Sequence, residues 1–289
     1  MRQLLVLSGK GGTGKTTIAS ALIKISEAKA FADCDIDAPN LHLVLRQNTD
    51  PIKKDYYGLP KAEINQEFCV KCGICMEKCR FESIYLENGN YLIDYFACES
   101  CGVCEYVCPA GAIKLKPAKA GDIELYKDDV VFSTAKLKMG SGTSGLLVSE
   151  VKKQLKENAK DADFAIIDGS PGIGCPVIAS ISGVDMVLVV AEPSISGISD
   201  MERIISTASK FQTNSLVCVN KYDTNIEKTS EIKDFCSKNN IPYIGEIPFD
   251  KEAIKAVNCG LTIADIECES GNELQKIYEI IKKYMEVSK

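Results

Sequence analysis

Histidine is nearly absent. His42 is the only one in 289 residues, so catalysis built on an imidazole base is not expected. No apolar run approaches the roughly 20 residues that a membrane-spanning helix needs, and membrane association is not expected. Basic excess is missing too: 34 Lys and Arg stand against 40 Asp and Glu, a formal net charge of -6 that argues against a general nucleic-acid binder. No leader-like segment precedes the first apolar run, and the expected location is the cytoplasm.

Cysteine, by contrast, is abundant, with 14 residues. Cytosolic thiols are kept reduced, so metal ligation is a better default than a disulfide framework. Eight cysteines fall between Cys69 and Cys108 in two regular groups, while Cys34, Cys175, Cys218, Cys236, Cys259 and Cys268 are scattered. The two sets need separate explanations.

Near the N-terminus, the apolar run Gln3–Ser8 reads as a buried strand, and residues 15–26 carry apolar positions at helical spacing. Between them stand Gly9, Lys10, Gly11, Gly12, Thr13, Gly14, Lys15, Thr16 and Thr17. This is the Walker A pattern, in which backbone N–H groups surround phosphate oxygens at a helix N-terminus. Lys15 is expected on the terminal phosphates and Thr16 on Mg2+. Gly9, Gly11 and Gly14 also spell a dinucleotide fingerprint, with Asp33 and Asp35 about 20 residues on. Lys15 and Thr16 decide for the P-loop, because a dinucleotide pyrophosphate needs neither a lysine nor a magnesium-binding hydroxyl there.

Further along, Phe164–Asp168 is an apolar strand ending in an acid, which makes Asp168 the Walker B candidate for the Mg2+ shell. Two more strands, Met186–Ala191 and Ser215–Val219, read clearly, the second running into Asn220, Lys221, Tyr222 and Asp223. That sequence also fits a guanine-reading motif, so the base is open on these residues alone. The last helix, about 272–285, has an apolar stripe of Leu274, Ile277, Tyr278, Ile281 and Met285, expected to dock on the sheet.

Residues 64–84 and 93–113 repeat each other at the Cys69-to-Cys98 offset of 29, with Ile-x4-Cys-x2-Cys-Gly-x-Cys-x3-Cys-x4-Ile in both copies. Each copy resembles the cysteine run of bacterial ferredoxins, in which the fourth cysteine ligates the other cluster. The resemblance implies two 4Fe-4S clusters, one on Cys69, Cys72, Cys75 and Cys108 and the other on Cys98, Cys101, Cys104 and Cys79. Pro109 follows Cys108 as in ferredoxins, whereas Arg80 stands after Cys79. Two zinc sites would also use eight thiolates, but zinc sites rarely place four cysteines in so short a run.

A lysine directly after the first P-loop glycine resembles the signature lysine of the MinD/Mrp/ParA/nitrogenase iron-protein ATPases. By that resemblance Lys10 reaches the partner's nucleotide across a dimer, either a homodimer or one with a paralogous ATPase. Asp33-Cys34-Asp35 resembles the family's switch segment, which makes Asp35 the candidate for orienting the attacking water and Asp33 a support of the Mg2+ shell. Lys10 and the Asp-x-Asp segment favour ATP by the same resemblance, and Asn220, Asp223, Pro248 and Asp250 are the implied adenine contacts. Cys175, seven residues after Asp168, matches the position of a subunit-bridging cluster cysteine in the nitrogenase iron protein, but residues 140–145 offer no second one.

The whole order is similar to MinD-superfamily ATPases containing an inserted ferredoxin. The expected fold is a doubly wound, mostly parallel α/β P-loop domain, 1–60 and 118–289, with an α+β ferredoxin-like module at 61–117. The expected role is an ATPase whose nucleotide state governs electron transfer to a partner protein. An iron-sulfur or metallocofactor assembly ATPase and a MinD-like positional ATPase with redox-sensing clusters are the alternatives.

Overall fold

The computed structural model describes residues 1–287. In chain order its strands are β1 (Arg2–Leu7), β2 (Ala30–Asp33), β3 (Ile52–Tyr57), β4 (Lys61–Ile64), β5 (Ile84–Glu87), β6 (Asn90–Ile93) and β7 (Ile113–Lys116). They continue as β8 (Lys119–Lys127), β9 (Val131–Leu137), β10 (Phe164–Asp168), β11 (Met186–Ala191), β12 (Asn214–Asn220) and β13 (Tyr243–Ile247). One sheet has the order β13-β12-β11-β1-β10-β2-β9-β8-β3. Its members from β13 to β9 run parallel. Parallel strands are covered on both faces, which is why β1, β10 and β11 are near-continuous apolar runs rather than alternating ones.

By compactness the chain divides into two units, Met1–Lys54 with Ile123–Lys136 and Ser144–Lys289, and Asp55–Asp122 with Leu137–Thr143. The larger unit is a mostly parallel α/β fold of the P-loop kind. Its core gathers Leu4, Val6, Ile18, Leu22, Ile166, Leu188 and Leu216 with the buried face of the last helix, Leu274, Ile277, Ile281 and Met285. That helix runs from Glu269 to Val287, starting earlier than its apolar stripe suggested. Its stripe faces the core as expected, each buried Leu or Ile contributing about 1.5–3 kcal/mol. Gly245 lets it approach β13, since a Cβ there would press on Ile277.

The second unit is wider than the 61–117 segment read from the sequence. It adds 55–60, 118–122 and 137–143, the last because Gly140 lies against the Phe96 ring and Gly58 against Thr143. It carries two antiparallel pairs, β4 with β7 and β5 with β6. Two short helices, Ile74–Lys78 and Val103–Tyr106, start from left-handed glycines with nearly identical backbones, Gly73 (φ 75°, ψ -4°) and Gly102 (φ 76°, ψ -4°). The same offset relates Lys71 (φ 58°) to Ser100 (φ 59°) and Glu82 (φ 51°) to Gly111 (φ 60°). The repeat in the sequence is therefore also a repeat in the backbone, held to the same strained turns. Among the described residues, no helix is long and apolar enough to cross a membrane.

Candidate functional site

Strand order brings together the residues expected at the phosphates. β1 lies between β10 and β11, and the register sets Val6 beside Asp168 and Asp168 beside Asp33. The carboxyl ends of neighbouring parallel strands open a crevice where ligands bind. The chain leaves β1 through the glycine turn and enters the helix Lys15–Ile25, with Gly14 in the left-handed region (φ 90°) as its cap. Gly12 is left-handed as well (φ 80°). A side chain on Gly14 would run into the Asn220 amide.

Lys15 Nζ lies 2.6 Å from Asp168 Oδ1, with the two side chains 5% and 0% exposed, and 3.4 Å from Thr16 Oγ1. Burial works against the Lys15 charge, but Asp168, with Asp35 and Asp33, raises its pKa overall. Asp33 is buried and accepts from three backbone N–H groups: Asp35 on Oδ1 at 3.0 Å, and Asn40 and Leu41 on Oδ2 at 3.0 and 2.9 Å. It therefore shapes the segment 35–41 as well as bordering the site. Burial, followed by the charge of Asp168, pushes its pKa up to about 7. Asp35 is half-buried and its pKa is raised, first by burial. Three carboxylates around one lysine leave a surplus of negative charge.

Two polar atoms in this crevice are buried without a hydrogen-bond partner among the described residues, Asp168 Oδ2 and Thr13 Oγ1. Burying such groups unpaired is costly, so they are ones a bound ligand would satisfy. The spare Asp168 oxygen and the surplus negative charge suit a hydrated divalent cation, and the glycine turn with Lys15 suits a polyphosphate.

The residues expected at the base divide in two. Asn220 is nearly buried, and its Nδ2 donates to the Thr13 carbonyl at 2.6 Å, bracing the P-loop from behind. Asp223 Oδ1 accepts from the Phe249 N–H at 2.7 Å, tying the end of β12 to the segment with Pro248 and Asp250. Asp250 caps the helix Lys251–Asn258 by accepting from the Glu252 N–H, and also holds Ser270.

Lys10 is 38% exposed and pairs with Glu192 Oε2 at 2.7 Å, with Ser194 and Ser196 hydroxyls at 3.3 and 3.4 Å. Glu192 also meets Lys221 at 3.4 Å, and Lys221 Nζ donates to the Gly12 carbonyl at 2.9 Å. Burial opposes the Glu192 charge, yet Lys10 and Lys221 hold its carboxyl below the usual range. Glu192 and Lys221 are absent from the sequence-derived site. The signal was available, because Glu192 directly follows the apolar strand β11 beside β1, as Asp168 ends β10 on the other side. If Lys10 acts on a partner's nucleotide, the Glu192 pair must break first. A part-exposed pair is worth up to about 1 kcal/mol, so Glu192→Gln should tighten ATP-dependent dimerisation about three- to five-fold, measured by sedimentation.

Cys175 is exposed and opens the helix Cys175–Ile181, beside Gly145. Lys152 Nζ caps that helix through the Ala179, Ser180 and Ser182 carbonyls at 3.1, 2.6 and 2.6 Å. Burial lowers its pKa to about 8. Cys34, Cys218 and Cys236 are buried, with pKa values pushed up by burial, as packing thiols are.

In the second unit the eight cysteines divide four and four. Cys69, Cys72, Cys75 and Cys108 line one small cavity, and Cys79, Cys98, Cys101 and Cys104 line another. In each, three cysteines of one repeat meet the fourth of the other. Among the described residues, no three or more His, Cys, Asp or Glu side chains converge as a single-ion site.

The CobQ/CobB/MinD/ParA nucleotide binding domain matches residues 4–263. The chain is 31% identical to the uncharacterized protein MJ0578 of Methanocaldococcus jannaschii, over 98% of this chain and 97% of that one. It is 24% identical to an iron-sulfur cluster carrier protein of Pyrococcus abyssi, covering 90% and 78% of the two. Its fold is similar to that of the septum site-determining protein MinD with Mg-ADP from Pyrococcus horikoshii, with a TM-score of 0.60, 18% identity and 100% and 98% coverage.

Proposed function

The chain belongs to the CobQ/CobB/MinD/ParA family of nucleotide-binding ATPase domains, and from that premise we propose an ATP-driven iron-sulfur protein that governs electron delivery to a partner protein. In this reading ATP binds on the glycine turn, with Lys15 at the terminal phosphates. Thr16 and Asp168 hold Mg2+, Asp33 shapes its surroundings and Asp35 orients water. Lys10 acts from one subunit on the nucleotide of the other. Bound Mg2+ would neutralise phosphate charge as the γ-phosphoryl group leaves. The protein works in the cytoplasm as a homodimer or with a paralogous ATPase.

The observation that carries the redox half is the four-and-four division of the cysteines across the two repeats. A ferredoxin-like module holding a pair of 4Fe-4S clusters needs this crossed ligation. Bound clusters would supply one-electron transfer at low potential. The cysteines supply the thiolates, and Gly73 and Gly102 allow the chain to turn tightly around them.

Protein purified without oxygen should contain about eight irons per monomer, and Cys101→Ser should lower this to about four. A protein with zinc and no iron would defeat the assignment. MgATP should shift the midpoint potential of the clusters while the iron count stays constant. Similarity to an iron-sulfur cluster carrier supports a second reading, in which MgATP instead releases iron to an apo-acceptor and leaves the potential unchanged.

A further inference from the structure

The two cysteine cavities are repeats of each other, so any difference between them stands out position by position. Cys79 Sγ lies 3.2 Å from the hydroxyl of Ser83. Ser83 is 3% exposed, and among the described residues that sulfur is its hydroxyl's only hydrogen-bond partner. At the repeat offset of 29, the counterpart of Ser83 is Ala112. Ala112 reaches its own sulfur, Cys108 Sγ, only through its backbone N–H at 3.3 Å. The Cys108 sulfur therefore lacks the hydroxyl that Cys79 has.

A second difference points the same way. Lys61 Nζ donates to the carbonyl of Cys98 at 2.5 Å and lies 5.4 Å from the Tyr95 ring centre, which sets a cation beside the backbone of one of the four cysteines, outside the cavity lining itself. Its counterpart in the second repeat is the neutral Asn90.

We propose that Ser83, supported by Lys61, makes the two clusters redox-inequivalent, so that the cluster on Cys79, Cys98, Cys101 and Cys104 accepts an electron first. This rests on the reading of the cavities as 4Fe-4S sites. A thiolate ligand can only accept, so the Ser83 hydroxyl donates to it. Adding one electron increases negative charge on the cluster and its sulfurs, and donors to sulfur favour that reduced form, raising the potential. Exposed Glu99 beside this cavity and exposed Lys71 beside the other favour the reverse order. Both are screened by solvent, whereas the Ser83 oxygen touches the sulfur. In a one-electron reduction by an external low-potential donor, the donor loses one electron and this cluster gains it. The cluster on Cys69, Cys72, Cys75 and Cys108 stays oxidised until a second electron arrives.

The test is an anaerobic redox titration of the full chain with dithionite, followed by electron paramagnetic resonance. Parental protein should reduce in two separable steps. Ser83→Ala should move the higher step to lower potential and bring the two together, while Ala112→Ser should raise the lower step. Coincident steps in the parent, or a Ser83→Ala variant with both steps unmoved at full iron content, overturn the proposal. Absence of iron is read from the metal count before titration, and it would defeat the cluster assignment itself. Unchanged iron content in both variants separates an effect on potential from a loss of cluster.

Discussion

Lys10→Ala should bind ATP with close to parental affinity yet turn it over about 10³-fold more slowly or worse, the scale of losing a cationic finger at a transferring phosphoryl group. The asymmetry follows from where Lys10 stands. The glycine turn and Lys15 form the phosphate cradle without it, and its amine is engaged with Glu192, Ser194 and Ser196. It is part-exposed, and in the proposed mechanism it exchanges that pair for a phosphate of a second subunit. Steady-state hydrolysis, nucleotide binding measured by fluorescence titration and sedimentation with ATP separate the three properties. ATP hydrolysis at the parental rate would show that Lys10 has no role in trans. The Glu192→Gln variant is the complementary case, since it frees the same lysine instead of removing it.

Lys15→Ala should be damaging before any nucleotide is added. Its amine faces Asp168 at 2.6 Å in a nearly dry setting, with Asp33 and Asp35 adding their charges nearby. Removing one member of a buried pair leaves the other uncompensated, at a cost of about 3–5 kcal/mol. ATP binding should be lost with it. Urea unfolding of the nucleotide-free protein should show a clearly lower midpoint for Lys15→Ala. Adding Asp168→Asn should restore much of that stability, because the stranded charge is gone, but not ATP binding. A single variant as stable as the parent would mean that the Lys15–Asp168 pair contributes little to the fold.

Local features were legible in the sequence because they are written in spacing. The strand, glycine turn and helix around Lys15 need only adjacent residues, and so does each cysteine run with its left-handed glycine. The repeat at an offset of 29 even anticipates equal backbone angles at Gly73 and Gly102. Asn220 shows where this kind of reading stops. Its place at the end of an apolar strand does not tell that its amide donates to the Thr13 carbonyl, 207 positions away in the chain. The contacts of Asp223 with the Phe249 N–H and of Asp250 with the Glu252 N–H are likewise not written in spacing.

By itself, the sequence determined the P-loop, the acidic ends of β2 and β10, the family resemblance and the paired cysteine runs. Each depends on contacts within a few residues, where bond geometry and side-chain type leave few options. The tertiary structure alone decided that Glu192 holds Lys10, that Asn220 and Lys221 clamp the glycine turn, that the second unit extends to Thr143, and that the Ser83 hydroxyl touches a cysteine sulfur where its repeat counterpart offers a backbone N–H. Those contacts arise from strand order and from the packing of side chains in the folded chain. Two acids at the ends of apolar strands look alike in sequence, but which basic group each meets depends on the strand that lies beside it.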